Sequence, residues 1–447
     1  MTSTTPITTT KSQKKWILIA AARPNFMKIA PLMRAIATHN RENGNTIKPF
    51  LVHTGQHYDD NMSDAFFRDL QIPNPDVHLG IGSGTHAQQT GNVMIAFEQV
   101  LLAEKPDLII VVGDVNSTLA CALTAVKLHI PVAHVEAGLR SFDRIMPEEI
   151  NRIMTDAIAD YLFTPSPDGD ENLLREGVPK EKIFLVGDIM IDTLLFNLEQ
   201  AKKTDILQRL GLEEPNEKEN KNGIHPYALL TLHRPSNVDD PKTFRQILDG
   251  LRQVATKLPI LFPIHPRTKK QIAAFGLEDA FVFYPSADIS QTEFRNEGNR
   301  NNRIHAFDPL GYLEFLNLMS HAKMVLTDSG GIQEETTVLN IPCITLRDTT
   351  ERPITVIEGT NVIVGDDPEK TINEAEKILN GNAKQGQCPQ IWDGKTAERI
   401  VNVLINRKKA VKRVIPDKRS AIRNPDLINV MPAKTHIRTP DKKESIQ

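Results

Sequence analysis

Cysteine is nearly absent from this 447-residue chain: Cys121, Cys343 and Cys388 stand far apart and in no paired pattern. That argues against a disulfide framework and a cysteine zinc site, and for a reducing compartment. Charge of one sign is scarce too. The net charge is −3, with no long basic block in the body of the chain, so nucleic acid is not an expected partner. No apolar run approaches the roughly 18 residues of a membrane span. The Thr-rich start, MTSTTPITTTKSQKK, lacks the apolar core of a secretory signal. Four motifs are also missing: a G-x-G-x-x-G after a strand, G-x-x-x-x-G-K-[ST], H-E-x-x-H and G-x-S-x-G. A bound nicotinamide or flavin, a P-loop kinase and two common hydrolase classes therefore have no support. What remains is a cytoplasmic protein of enzyme size.

The composition, 40% hydrophobic and 24% charged, is that of an ordinary globular chain, and the length suits about two or three domains. Short β-favouring runs alternate with helical patterns. Strands are expected at 16–20, 48–54, 107–112, 131–136, 161–164 and 182–186. After a charged, Asn-rich excursion at 203–226 the alternation restarts, at 227–233, 259–265, 281–284, 303–307, 324–328, 342–346 and 361–364. Such alternation implies right-handed βαβ crossovers and parallel sheets covered on both faces. The fold class is α/β: two Rossmann-like, doubly wound domains facing a cleft. The expected boundaries are a tail at 1–15, a first domain at 16–190 with a returning helix at 395–412, a second domain at 191–394 and a tail at 413–447. The polar stretch 286–302 reads as a mobile loop.

The stretch MVLTDSGGIQEETTVL (324–339) is a strand, a glycine-rich turn and a helix start. Glycines let a backbone approach a ligand closely, and free N–H groups with the positive helix end suit a phosphate. An ordinary strand–turn–helix connection would read the same way. Ligands of open parallel sheets bind beyond the carboxyl ends of the strands, and those ends are polar here. The first half presents Arg23 and Lys28, Asp114, Glu136, Arg140, and then Glu148 and Glu149. The second presents His233, Arg234, His265, Asp328, Ser329 and Arg347. Singly, each has a plain explanation: Asp114 as a helix cap, Glu148 and Glu149 as helix-start acids, His233 as a core histidine. Their concentration at one edge suggests diphosphate binding on one side of a cleft and carboxylate acid–base chemistry on the other. A nucleotide sugar fits that pairing.

The segments ARPNFMKIAPL (22–32), GQHYD (55–59), GDVNSTLA (113–120), HVEAGLRS (134–141), MPEEINR (146–152), LHRPSN (232–237), TDSGGIQEE (327–335) and RDTTERP (347–353) resemble the non-hydrolysing UDP-N-acetylglucosamine 2-epimerases. The resemblance covers about residues 16–412. It implies a glycosyltransferase-B-like fold and a homodimer. It also implies reversible conversion of UDP-GlcNAc to UDP-ManNAc with no NAD and no metal, supplying ManNAc for cell-surface polysaccharide. The implied route is anti elimination of UDP to 2-acetamidoglucal, then re-addition with the C2 proton delivered to the other face. Asp114, Glu136, Glu148 and His233 match the family's catalytic groups. Arg23, Ser329, Gly330 and Gly331 match its diphosphate region, Glu335 its ribose ligand and Phe315 its uracil stack. Lys28, Gln56, His57 and His265 match positions near the substrate or a regulatory site, and Arg140, Arg234 and Arg347, read from the strand ends, are further candidate substrate-binding residues. Sister epimerases acting on a UDP-diacetamido-glucuronate, hydrolysing epimerases and sugar transferases of the same fold are the alternatives.

Overall fold

A computed structural model describes residues 13–55, 70, 72–213, 223–284 and 302–406, apart from the Arg23 side chain. Residues 1–12, 407–447 and 286–301, with Gln56 and His57, fall outside these ranges, and so do the expectations for them.

Among the described residues, two sheets, each of seven parallel strands, organise the fold. The first contains β1 (Lys14–Ala20), β2 (Ile47–His53), β3 (Val77–His78), β4 (Leu108–Val112), β5 (Val132–Val135), β6 (Tyr161–Thr164) and β7 (Ile183–Leu185). Their spatial order is β3-β2-β1-β4-β5-β6-β7. The second contains β8 (Ala228–Thr231), β9 (Ile260–Pro263), β10 (Phe281–Phe283), β11 (Ile304–Phe307), β12 (Met324–Thr327), β13 (Cys343–Thr345) and β14 (Asn361–Ile363). Their order is β10-β11-β9-β8-β12-β13-β14. Central strands such as LIIVV and MVLT are buried along their whole length. A strand covered by helices on both faces has no polar side to alternate, so it appears in sequence as a continuous apolar run. Each sheet has its own apolar core.

All strands but β3 answer to an expected segment. β3 has two residues at a sheet edge, too few to show a period. The expected N-terminal tail ends earlier than residue 15, because Lys14 and Lys15 extend β1. Lys15 is held there by its backbone N–H to Asp107 Oδ2 at 2.9 Å and its ammonium to Glu104 Oε2 at 2.7 Å.

Winding reverses between β1 and β4 in one sheet and between β8 and β12 in the other, the places where open α/β sheets leave a crevice. Met1–Asn402 forms one compact unit that holds both sheets. Val403–Gln447 forms another, described only over the last turn of the helix Thr396–Asn406. Near residue 190, the expected domain boundary, the chain enters the helix Ile189–Ala201, capped by Asp188 through the Met190 N–H at 2.8 Å. This helix packs against Arg23–Asn43 from the first half and against Tyr312–Ser320 and Gly330–Leu339 from the second. Asp192 accepts the Thr396 and Ala397 N–H groups at 3.0 and 2.7 Å and so starts the C-terminal helix. Just before it, the Trp392 indole donates to the Pro165 carbonyl of the first half at 2.9 Å.

Candidate active site

The ends of β1, β4, β8 and β12 converge on a cavity of about 420 Å³ whose lining includes Lys28, Asp114, His233, Arg234, Phe315 and Ser329. Each wall is set by local chemistry. Beyond β1, the Asn25 side chain accepts the Ala21 and Ala22 N–H groups at 3.2 and 2.9 Å and donates to the Val112 carbonyl at 3.1 Å. That ties the β1 turn to the end of β4 and points the helix Arg23–Asn43 at the cavity, with Lys28 one turn in. Lys28 pairs with Glu136. Burial opposes its ammonium, but the Glu136 and Asp114 charges outweigh this and raise its pKa. Glu136 sits at φ +69°, a left-handed conformation that costs a non-glycine residue about 1–3 kcal/mol. Gly113 has φ +66°, and a Cβ there would lie 2.9 Å from Lys28 Nζ. A side chain there would strain the backbone and crowd the Lys28 ammonium.

Asp114, a third exposed, pairs with Arg152. Arg152 is held in turn by Glu149, at 2.7 Å from Nη2 to Oε2. Glu149 also accepts the Ser141 and Phe142 N–H groups at 3.0 and 2.9 Å. Burial would raise the Glu149 carboxyl, but these donors and the Arg152 charge hold it below its ordinary value. Of the two neighbouring acids, then, Glu149 is the buried brace. Glu148 is half-buried and does not line the cavity.

Across the cavity, β12 runs into Asp328 and Ser329, and the helix Gly330–Leu339 begins at once. Asp328 is fully buried. Its Oδ2 accepts the His233 and Arg234 N–H groups at 2.8 and 2.7 Å, and its Oδ1 lies 3.1 Å from His233 Nδ1. Burial works against this carboxylate, but the His233 ring and the two amides hold its pKa down. The His265 ring stands 5.7 Å from that of His233, and its Nδ1 accepts the Arg267 N–H at 3.2 Å, capping the next helix.

A Cβ on Gly330 would meet Arg352 Nη1 at 2.6 Å and Glu351 Oε1 at 2.7 Å, so the protein's own ion pairs require glycine there. Glu351 is a buried hub. Arg352 Nη1 reaches it at 2.6 Å, Arg347 Nη2 at 2.9 Å and Arg234 Nη2 at 3.9 Å. Burial would raise its carboxyl, but the three guanidinium charges drive it far below the carboxylate range. Arg352 also pairs with Glu334. Glu335 accepts from the Tyr312 hydroxyl at 3.1 Å, and burial pushes its pKa up to about 7.

The family model for UDP-N-acetylglucosamine 2-epimerase matches residues 39–405. The chain belongs to that family. It is 45% identical over 392 residues to a UDP-N-acetylglucosamine 2-epimerase of Methanocaldococcus jannaschii, covering 87% of this chain and 98% of that protein. It is 39% identical over 393 residues to a UDP-2,3-diacetamido-2,3-dideoxy-D-glucuronate 2-epimerase of Pseudomonas aeruginosa, with 87% and 99% covered. A crystal structure of the M. jannaschii UDP-GlcNAc 2-epimerase in complex with UDP-GlcNAc and UDP superposes with a TM-score of 0.74 at 44% identity. It covers 88% of this chain and 99% of that one. The 2-epimerase family is one of isomerases built on the glycosyltransferase-B-like fold.

Of the residues singled out in the sequence, Lys28, Asp114, His233, Arg234, Phe315, Ser329, Gly330, Gly331 and Glu335 line one cavity. Glu136 stands directly behind Lys28. Arg140 does not come to the cavity: it is buried, with Asp156 Oδ2 at 2.7 Å and Glu176 Oε2 at 2.7 Å. Arg347 is likewise turned to Glu351. Met190, Tyr312, Glu334, Glu351 and Arg352 line the cavity and were not singled out. For Glu351 and Arg352 a signal was present, since both lie in the quoted segment RDTTERP.

Proposed function

We propose that the chain epimerises UDP-N-acetylglucosamine reversibly at C2. UDP leaves by anti elimination, and the proton is then returned to the opposite face as UDP re-adds to 2-acetamidoglucal. The observation that carries this reading is the division of one cavity. Asp114 and the Lys28–Glu136 pair stand on the first half, and His233 with the helix start at Ser329-Gly330 stands on the second. A C2–H is weakly acidic, so each face needs its own positioned group. Asp114 and Glu136 supply two. The helix N-terminus, with His233 and Arg234, suits the charge that develops on the departing diphosphate. Glu335 with Tyr312 suits ribose hydroxyls, and Phe315 a pyrimidine face.

The reaction needs neither a dinucleotide nor a metal in this scheme, and the enzyme works in the cytoplasm. Among the described residues no helix is long and apolar enough to cross a membrane. A homodimer is part of the proposal. Ile95, Leu102, Phe142, Ile145 and Met154 are exposed on helices and a loop of the first half, where a second copy would cover them. The P. aeruginosa relative keeps a second substrate in view, a UDP-diacetamido-glucuronate, whose C6 carboxylate Arg234 could meet. The test is incubation with either UDP-sugar in D2O, followed by NMR. Inverted product with one deuterium at C2 supports the scheme. Product without deuterium, or free ManNAc, would refute it.

A further inference from the structure

Three carboxylates meet where the two halves of the site approach each other. Glu136 follows β5, Asp188 caps the helix Ile189–Ala201 and Glu334 lies in Gly330–Leu339. Each offers an oxygen within 4.8 Å of the other two. Their exposures are 5%, 0% and 1%. Facing Asp188 are Lys28 from Arg23–Asn43, Glu136, Glu334 and Glu335, and Arg352. The only cations in that set are Lys28, paired with Glu136, and Arg352, which is shared between Glu334 and Glu351. Negative charge is therefore in excess. One oxygen of each acid, Glu136 Oε1, Asp188 Oδ2 and Glu334 Oε2, has no hydrogen-bond partner among the described residues.

Buried carboxylates with bare oxygens and too little countercharge take up a proton, which removes a charge and supplies the missing donor. Asp188 is the member placed to share it with Glu136. It has no cation of its own, and its Oδ1 is already occupied by the Met190 N–H. We propose that Asp188 is a positioning residue for proton transfer, sharing a proton with Glu136 so that Glu136 meets C2 as an acid. This rests on the reading of Glu136 as a C2 acid–base group.

The step balances as follows. The C1=C2 electron pair of the glucal takes the proton from Glu136 as a UDP oxygen bonds to C1. Glu136, left anionic beside Lys28, then draws the shared proton and leaves the charge on Asp188. The proton that elimination placed on the opposite group returns through solvent. In the other direction Glu136 accepts the C2 proton and the same steps run backwards. Burial and the Glu136 charge push the Asp188 carboxyl up to about 7, and burial pushes Glu334 well above the carboxylate range, both consistent with a held proton.

Asp188→Asn tests this, because an amide oxygen still caps the Met190 N–H, and Asp188→Ser is a second variant that keeps a cap. Two measurements on the full chain are needed. The infrared spectrum of the resting protein at pH 7 should show protonated buried carboxyls, and both variants should lose the share that Asp188 holds while those of Glu334 and Glu335 remain. In the pH profile of kcat, the limb set by the cluster should move down by about one pH unit or more in the variants, in either reaction direction, because a like charge beside Glu136 is gone. No protonated carboxyl in the native protein, the same band in the variants, or superimposable profiles would overturn the proposal. So would saturable Mn²⁺ binding that abolishes the band, since the cluster would then be a cation site. The infrared measurement needs no substrate. A native protein inactive on every UDP-sugar would therefore refute the proposed function and leave the shared proton to be judged on the band.

Discussion

Glu351→Gln isolates the charge at the centre of the second half. The substitution keeps the shape of the side chain and leaves Arg347 and Arg352, now at 2.9 and 2.6 Å from Glu351, facing a neutral amide in a buried site. Removing one partner of a buried ion pair costs about 3–5 kcal/mol; an amide oxygen that still accepts puts the expectation at the lower end, about 3 kcal/mol. With an unfolding entropy of roughly 2 cal/mol/K per residue over the roughly 350 described residues, that becomes a fall in Tm of about 4 °C. The pH dependence is the sharper signature. The folded carboxyl is held far below its unfolded value, so its stabilisation is fully present above about pH 4.5 and is lost as pH falls. Guanidinium unfolding of the native protein and the variant at pH 7 and pH 3.5 should show a large gap that narrows in acid. An equal midpoint at pH 7, or a gap that does not change with pH, would refute the three-arginine hub as the source of the effect.

Asp114→Asn and Glu136→Gln should each leave UDP binding within a few-fold of native and lower kcat by about 10²–10⁴; near-native kcat in either would remove that residue from the proton chemistry. Gly330→Ala should displace the Glu351–Arg352 pair, lowering Tm and weakening UDP binding together, as calorimetry can check. Uridine, which does not titrate between pH 6 and 8, should bind more tightly as pH rises through about 7 and Glu335 ionises, and Glu335→Gln should flatten that slope. Saturating UDP should draw the two sheets together and reduce the radius of gyration in small-angle scattering; an unchanged value would mean a preformed cleft.

Much of the fold was legible because parallel strands covered on both faces need uninterrupted apolar residues, as in LIIVV and MVLT. The strand β3 was not, since two edge residues carry no period. At the site, residues at the strand ends could be named from position alone, and five of them, Lys28, Asp114, His233, Arg234 and Ser329, line the cavity; Gly330 and Gly331 came from the glycine-rich turn, and Glu335 and Phe315 from the family resemblance. What the linear pattern does not carry is which charge meets which. Arg140 looks like a ligand-facing cation until Asp156 and Glu176, 16 and 36 positions on, close over it. Glu148 and Glu149 are indistinguishable in sequence. Only the helix direction turns Glu149 inward to Arg152. Asp188 reads as an ordinary helix cap until folding brings Glu136 and Glu334 against it.

Each sheet ties its two central loops together with one buried polar side chain, Asn25 reaching across from β1 to β4 and Asp328 from β12 to the loop after β8. Neither side chain lines the cavity, yet both set where the residues that do line it will stand. The scaffold thus separates precision from selectivity. A library aimed at a different sugar or base can vary Met190, Phe315 or Ile332 freely while leaving the two struts alone. A variant whose substrate preference drifts without any change in the lining should be sequenced first at residues 25 and 328.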